Sequence, residues 1–150
     1  MRKLNLPEYD FQHREEGGKH LILDRFRKRY VVLTPEEEVR QRFARYLMEE
    51  KGFPASLMMT EYSLKLNEMI RRCDILVHKP AGMPAVLVEC KAPEVKISAD
   101  TFDQIARYNM VFRVKYLMVT NGLKHYCCRL DFVTQKVDFL KEIPPYASLE

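Results

Sequence analysis

Apolar residues along this chain fall into short alternating or continuous runs, interrupted by two longer stretches of helical spacing, and these two periods set the expected elements. KHLILD (residues 19–24) and RYVVL (29–33) carry β-branched and aromatic residues around the basic run Arg25-Phe26-Arg27-Lys28-Arg29, which predicts a short hairpin with an exposed basic tip. Thr34-Pro35-Glu36-Glu37-Glu38 has the makings of a helix start: a hydroxyl N-cap, proline at the first helical position, acids in the first turn and Glu37 at the capping-box position. Val39, Phe43, Tyr46 and Leu47 then recur at helical spacing, and KGFP (51–54) ends the run. Glu36 precedes Val39 by three residues and Phe43 by seven, so it shares the edge of the buried face. Capping already accounts for Glu37, which leaves Glu36 as the more interesting acid.

LMMTEYSLKL (57–66) has a mixed alternation compatible with a strand, and Asn67-Glu68 leads through Met69-Ile70-Arg71-Arg72 to a second strand, CDILVH (73–78). Lys79-Pro80-Ala81-Gly82-Met83-Pro84 is a turn by its Pro and Gly content. AVLVECKA (85–92) is almost wholly apolar, as a central strand covered on both faces would be, and Pro93 closes it. A helix from about Ser98 or Asp100 to Phe112 is supported by Phe102, Ile105, Ala106, Asn109 and Phe112. YLMVTNG and HYCCRL then predict two strands around Asn121-Gly122. Residues 1–18 are polar, end in Gly17-Gly18, and read as an N-terminal arm whose order depends on packing against the body; residues 19–150 read as a single α/β domain.

Composition narrows this little. The 150 residues are 47% hydrophobic and 31% charged, with five Gly and eight Pro, which is ordinary for a globular fold and excludes a disordered or collagenous chain. A net charge of +4 permits contact with a polyanion without arguing for one, so the hairpin tip reads either as a phosphate contact or as a solvated turn. Cys73, Cys90, Cys127 and Cys128 contain no CxxC pair, which points away from a zinc site or a disulfide scaffold and toward a reducing compartment. No apolar stretch has the length of a signal peptide core or a membrane span, so the expectation is a cytoplasmic protein that does not engage a membrane.

The chemistry lies in Asp74 and in Glu89-Cys90-Lys91. Residues two apart on a strand share a face, so Glu89 and Lys91 emerge together while Val88 and Cys90 point the other way. If the two strands are neighbours, Asp74 reaches the same region, placing two carboxylates and an ammonium in one cluster. Charges inside apolar strands are costly unless paired or bound to metal. The plain reading is an ion pair of Asp74 or Glu89 with Lys91. The other is a Mg²⁺ site of hard oxygen ligands, with the lysine orienting water or stabilising charge on a phosphoryl oxygen, a group suited to phosphodiester hydrolysis.

TPEEEVRQRFARYL, RRCDILVHKPAGMPAVLVECKAP and DQIARYN together make the chain resemble the PD-(D/E)xK nuclease superfamily, and more narrowly the amino-terminal nuclease domain of type I restriction enzyme R proteins, over roughly residues 20–130. The resemblance implies a restriction-endonuclease-like core, a central mixed β-sheet flanked by helices, and Mg²⁺-dependent endonuclease action on DNA. It assigns catalytic roles to Asp74, Glu89, Lys91, Gln104 and Glu36, with Glu37 as the nearby alternative to Glu36, and metal ligation to Asp74 and Glu89. Tyr108 completes a Q-x-x-x-Y element with Gln104. Cys73 stands where the superfamily name would put a proline, a position that carries no ligand.

Gln104 and Tyr108 are four apart and share a helical face. Gln104 would bond the lysine, a metal-bound water or a nucleic-acid backbone, whereas Tyr108 would contact nucleic acid or pack at the sheet edge. Arg71, Arg72 and Arg107 are candidate phosphate contacts, and Asp100 and Asp103 decorate a helix start. His13, His20, His78 and His125 lack HExxH spacing and read as surface or hydrogen-bonded residues, and no Walker A segment provides for ATP-driven movement. The leading expectation is therefore a DNA endonuclease working with DNA, a separate motor, specificity or methyltransferase protein, or as a homodimer. The competing one is a non-catalytic nucleic-acid-binding or assembly module that retains the nuclease fold.

Overall fold

Thr34 and Gly52 bracket the first helix, α1 (Pro35–Lys51), in the computed structural model, which describes residues 3–150. The Thr34 hydroxyl accepts the Glu37 N–H at 3.0 Å, and Gly52, at φ 69°, closes the other end in the left-handed conformation with its N–H on the Leu47 carbonyl. The reciprocal half of a capping box is not made. The Thr34 N–H bonds the Val32 carbonyl at 3.1 Å, and the Glu37 carboxylate turns inward to meet arginines. The second helix, α2 (Ala99–Asn109), starts at Ser98, whose hydroxyl accepts the Thr101 N–H at 3.1 Å. It stops short of the expected Phe112: Met110–Phe112 tighten into a 3₁₀ turn, and Arg113 at φ 55° reverses the chain.

Among the described residues, nine strands complete the fold. Strands β1 (His13–Glu16), β2 (Lys19–Asp24) and β3 (Arg29–Val32) form a small antiparallel sheet in that order. Strands β4 (Met58–Leu66), β5 (Met69–His78), β6 (Pro84–Cys90), β7 (Tyr116–Thr120), β8 (His125–Asp131) and β9 (Lys136–Leu140) lie side by side in chain order in the main sheet. All main-sheet neighbours are antiparallel except β6 and β7, which run parallel because the chain returns between them through α2. The result is an α/β fold with a central mixed six-stranded sheet flanked by two helices, a restriction-endonuclease-like core.

The apolar pattern of β6 explains its central place. Val86, Val88 and Cys90 face α1, where Val39, Phe43 and Leu47 close a core with Ile75, Val77 and Met118; Leu87 faces α2, where Phe102 and Ala106 pack on Leu76, Leu117, Val119, Cys128 and Leu130. A strand buried on both faces reads as a continuous apolar run.

Three elements differ from expectation. Strand β5 begins at Met69 rather than Cys73, because Asn67 adopts φ 56° in a two-residue turn and Leu66 pairs directly with Met69, so Asp74 lies mid-strand. Strands β1 and β9 are extra. HREE is wholly exposed and forms by pairing with β2 rather than by an apolar face, whereas KVDFL, half exposed at the sheet edge, pairs with β8 and packs Val137 and Phe139 on the α2 side and Leu140 on the α1 side. The chain ahead of β1 packs on the body: Leu4 and Leu6 join the α1-side core, and the Asn5 N–H bonds the Gly122 carbonyl at 2.8 Å. Gly122 has φ 86°, and a Cβ there would meet the Leu4 and Val39 side chains at 3.0 Å, so this turn requires glycine. Among the described residues, no helix is long and apolar enough to cross a membrane.

Candidate active site

Strands β5 and β6 pair from Ile75 opposite Val88 onward, which makes Asp74 and Glu89 the first residues beyond the paired ladder. Where the ladder stops, the Asp74 side chain substitutes for backbone: its Oδ2 accepts the Cys90 N–H at 2.7 Å. The next amide, that of Lys91, turns to β7 and bonds the Thr120 carbonyl at 2.8 Å. Asp74 thus caps the end of β6 while its Oδ1 accepts a hydrogen bond from Arg40 Nη1 at 3.2 Å.

Arg40 projects from α1 and is almost fully buried, with ion pairs to Glu37, Glu61 and Asp74. Glu37 in turn accepts from Arg27 Nη2 at 2.9 Å and from Gln41 Nε2 at 2.9 Å, and Arg27 pairs with the fully buried Asp24. A continuous ionic layer therefore links the small sheet, α1, β4 and β5. Burial works to lower Arg40, yet the carboxylates of Glu37, Glu61 and Asp74 hold its guanidinium above its ordinary pKa. Burial likewise opposes the Asp24 and Glu61 charges, which Arg27 and Arg72 respectively hold below the usual carboxylate range. Asp74 is the exception: burial pushes its carboxyl up to about 6, against the Cys90 N–H and Arg40, with Glu36 and Glu61 adding repulsion.

Glu89 occupies the opposite face, on the same side as Leu87. Its Oε1 accepts Arg71 Nη2 at 2.8 Å, and Arg71 is itself fixed by Nε on Asn109 Oδ1 at 3.0 Å and Nη1 on the Arg72 carbonyl at 2.6 Å. The Asn109 amide is locked by donating to the Ile105 carbonyl at 2.7 Å. Glu89 Oε2 is buried and takes no hydrogen bond from any described residue; Lys91 Nζ lies 3.9 Å from it. The Lys91 side chain is 37% exposed, so an ammonium facing solvent stands beside a buried, open carboxylate oxygen.

The remaining sequence candidates lie around these two. Glu36 is exposed, forms no ion pair with any described residue, and acts on Asp74 through its field. The acids buried at the start of α1 are Glu37, whose side chain the capping argument had set aside, and Glu38. Gln104 is exposed on α2 without a side-chain hydrogen bond to any described residue, and Tyr108, 59% exposed, has the Arg71 guanidinium 5.9 Å from its ring centre. Arg107 pairs with Asp103 at 2.9 Å and Arg72 with Glu61 at 2.8 Å, both arginines facing solvent. Arg71 is turned inward onto Glu89. The hairpin tip is not uniformly exposed as expected, since Arg27 is drawn in by Asp24 and Glu37.

Arg40, Glu61 and Asn109 are residues that sequence reasoning missed. Arg40 left one signal, its place next to Val39 and one turn after Glu36 and Glu37 on the edge of an apolar face. Glu61 left none: it sits at φ 51° opposite Asp74, in a conformation that no strand pattern announces. Among the described residues no group of three or more His, Cys, Asp or Glu side chains is gathered to hold a metal ion.

The family model for the type I restriction enzyme R protein N terminus (HSDR_N) matches residues 35–144. Among solved structures, the chain is similar to a fragment of a protein assigned as an HsdR subunit of a type I restriction enzyme from Vibrio vulnificus YJ016, with a TM-score of 0.52 and 18% sequence identity over 78% of this chain. The chain covers 24% of that fragment. No curated protein matches significantly.

Proposed function

The chain belongs to the family of type I restriction enzyme R protein N termini, and from that membership we propose that it is a Mg²⁺-dependent endonuclease domain that hydrolyses DNA phosphodiester bonds. The observation that carries the reading is Glu89 Oε2, a buried carboxylate oxygen with no hydrogen bond, beside the Lys91 ammonium. A buried anion left open is costly unless a cation completes it. Magnesium is commonly held by one or two carboxylates together with waters and substrate phosphate, so Glu89 would be the first protein ligand through its open oxygen, and Asp74, whose two oxygens are held by the Cys90 N–H and Arg40, would have to release Arg40 and turn to join it.

Bound there, Mg²⁺ would supply a positive centre for the phosphoryl oxygens and an acidified water. The protein's own part follows from its residues. Arg71, braced by Asn109, orients the Glu89 carboxylate through Oε1. Lys91 presents its ammonium to the developing phosphoryl charge or to the attacking water. Asp74 fixes the end of β6, and thereby the Glu89-Cys90-Lys91 turn, through the Cys90 N–H. Gln104, Arg72, Arg107 and Tyr108 are exposed and available to the DNA backbone, and Glu36 adds negative charge near Asp74. The four cysteines are free and buried, which suits a reducing, cytoplasmic setting. A motor, specificity or methyltransferase partner, or a second copy, would supply target selection.

Incubation of the full chain with supercoiled and linear DNA, with and without Mg²⁺, tests this. Expected is metal-dependent cleavage that falls at least about 100-fold in Glu89→Gln and in Lys91→Met. Absence of cleavage with Mg²⁺ and with Mn²⁺, alone and with a motor subunit supplied, overturns it.

A second reading has its own observation: each carboxylate already carries an arginine, Arg40 on Asp74 and Arg71 on Glu89. A module of this fold that binds nucleic acid or assembles with partners without cutting would keep both pairs closed. Salt-dependent DNA binding that neither chelator nor Lys91→Met alters favours it.

A further inference from the structure

A cleft of about 550 Å³ opens between the tip of the β2–β3 hairpin, the chain ahead of β1 and the outer face of α1, apart from the Asp74 and Glu89 strands. Its size is that of a small-molecule site. Phe11 and Phe26 give it apolar, planar walls, and Arg25, Lys28 and Arg45 bring three cations against one exposed acid, Asp10. Asp24, at its base, is neutralised by Arg27. Arg25 and Lys28 form no ion pair with any described residue, whereas Arg45 is shared with Glu49 at 3.3 Å and lies 5.4 Å from the Phe11 ring centre.

Gln41 adds specificity. It is 6% exposed, lines the cleft, and donates from Nε2 to the Glu37 carboxylate at 2.9 Å. Because a carboxylate only accepts, this bond fixes which end of the amide is oxygen. Oε1 takes no hydrogen bond from any described residue, which leaves a nearly buried side chain with a free acceptor in the wall of a cationic, aromatic cleft.

We infer that this cleft binds a nucleotide, its base against Phe11 and Phe26, its phosphate on Arg25, Lys28 and Arg45, and an exocyclic base amine donating to Gln41 Oε1. Cations alone would suit any anion, and aromatic walls any apolar ring; the two together with a single fixed acceptor suit a planar base bearing an amine, as in adenine or cytosine, attached to a phosphate. The same chemistry is offered by a free mononucleotide and by the 5′-phosphorylated end of an unpaired strand.

Calorimetric titration of the full chain without divalent metal, and hence independent of the nuclease reading, decides it. The probes are 5′-AMP, 5′-TMP, inorganic phosphate and a short 5′-phosphorylated oligodeoxyadenylate. Expected is binding of 5′-AMP at least about tenfold tighter than of 5′-TMP, which lacks the amine, and tighter than of phosphate. The double variant Arg25→Ala, Lys28→Asn, confined to an exposed turn where asparagine tolerates the φ of 56° at position 28, should weaken that binding about tenfold or more. Binding of 5′-AMP supports a free nucleotide as the ligand, and binding of the oligonucleotide alone supports a strand end. Either result requires loss in the double variant. Unchanged binding in that variant, no binding of either probe, or inorganic phosphate binding as tightly as 5′-AMP overturns the proposal.

Discussion

Asp74 and Glu89 are the first residues beyond the same strand pairing, yet they face different surroundings. On the α1 side both Asp74 oxygens are occupied, one by the Cys90 N–H and one by Arg40, within an ionic layer that runs through Glu37 and Arg27 to Asp24. On the α2 side Arg71 takes one oxygen of Glu89 and the other is left open beside Lys91. The contrast separates two duties that a motif compresses into a few letters. Asp74 holds the sheet together where the strands part. Glu89 is held by others and keeps an oxygen in reserve. Burial outweighs the help Asp74 receives, since its carboxyl still sits near 6, so the closed side is costly despite its partners.

Removing the centre of the closed side should have the largest effect. Arg40→Met leaves Glu37, Glu61 and Asp74 without their shared guanidinium while keeping a side chain of similar length. Breaking a buried pair in this way costs about 3–5 kcal/mol, read as a lowered urea midpoint at pH 7. The loss should shrink as pH falls, because the abandoned carboxylates escape by protonating. A variant as stable as the parent at pH 7 would mean that the ionic layer is replaceable by apolar contact, as some buried ion networks are.

Asp74→Asn should move stability the other way. The Asp74 carboxyl is raised from 3.8 to about 6, so below pH 4 both folded and unfolded chains hold the proton and the group contributes nothing. Between about 4 and 6 the unfolded chain releases it first and stability falls; above 6 the full cost stands. That cost is roughly two pKa units, or about 3 kcal/mol. The asparagine, which still has an oxygen for the Cys90 N–H, should therefore be more stable than the parent at pH 8 by up to about that amount and equal to it at pH 4. Urea melts at the two pH values measure this directly. Loss of DNA cleavage together with gained stability would mark Asp74 as a residue kept for chemistry, whereas destabilisation at both pH values would give Arg40 the greater claim on it.

How much of this was legible before the structure follows from the same contrast. The α/β order, the cap at Thr34, the buried centre at β6 and the shared face of Glu89 and Lys91 all obey local periods of two or 3.6 residues, and these survive folding because the apolar faces they define are the ones buried. The arginine partners were not legible. Arg40 meets Asp74 across 34 positions and Arg71 meets Glu89 across 18, and no local pattern tells an arginine that will fold inward from one left in water. Lys91 was the expected partner of the acids; at 3.9 Å from Glu89 it is the weaker one, behind Arg71 at 2.8 Å. Glu37 was misjudged for a related reason: a capping box accounts for a side chain locally, and the long-range pull of Arg27 and Arg40 won. Strand β1, without an apolar face, depends on its neighbour for existence and so left no trace of its own, and β9 is a five-residue edge strand whose Val137, Phe139 and Leu140 are too few to announce it.

The smallest effects on stability are expected at Arg107, outside both regions, and at Arg72, on the solvent rim of the ionic layer. Each is largely exposed and pairs with one carboxylate, Arg72 with Glu61 and Arg107 with Asp103 one helical turn away. A surface pair such as that of Arg107 contributes about 0.5 kcal/mol or less, so Arg107→Ala should leave the urea midpoint almost unmoved, and Arg72→Ala should lower it somewhat more, because Glu61 loses a hydrogen bond that offsets its burial. If these side chains touch the DNA backbone, each loss should reduce the slope of log affinity against log salt by about one and weaken binding uniformly across sequences. Arg71→Met makes the sharper contrast: buried against Glu89 and Asn109, it should lower stability and cleavage while leaving the salt slope alone. An arginine whose removal lowered the midpoint as far as Arg71→Met and also changed the slope would belong to neither class, and the division between charges that hold the fold and charges that face the polyanion would fail at that residue.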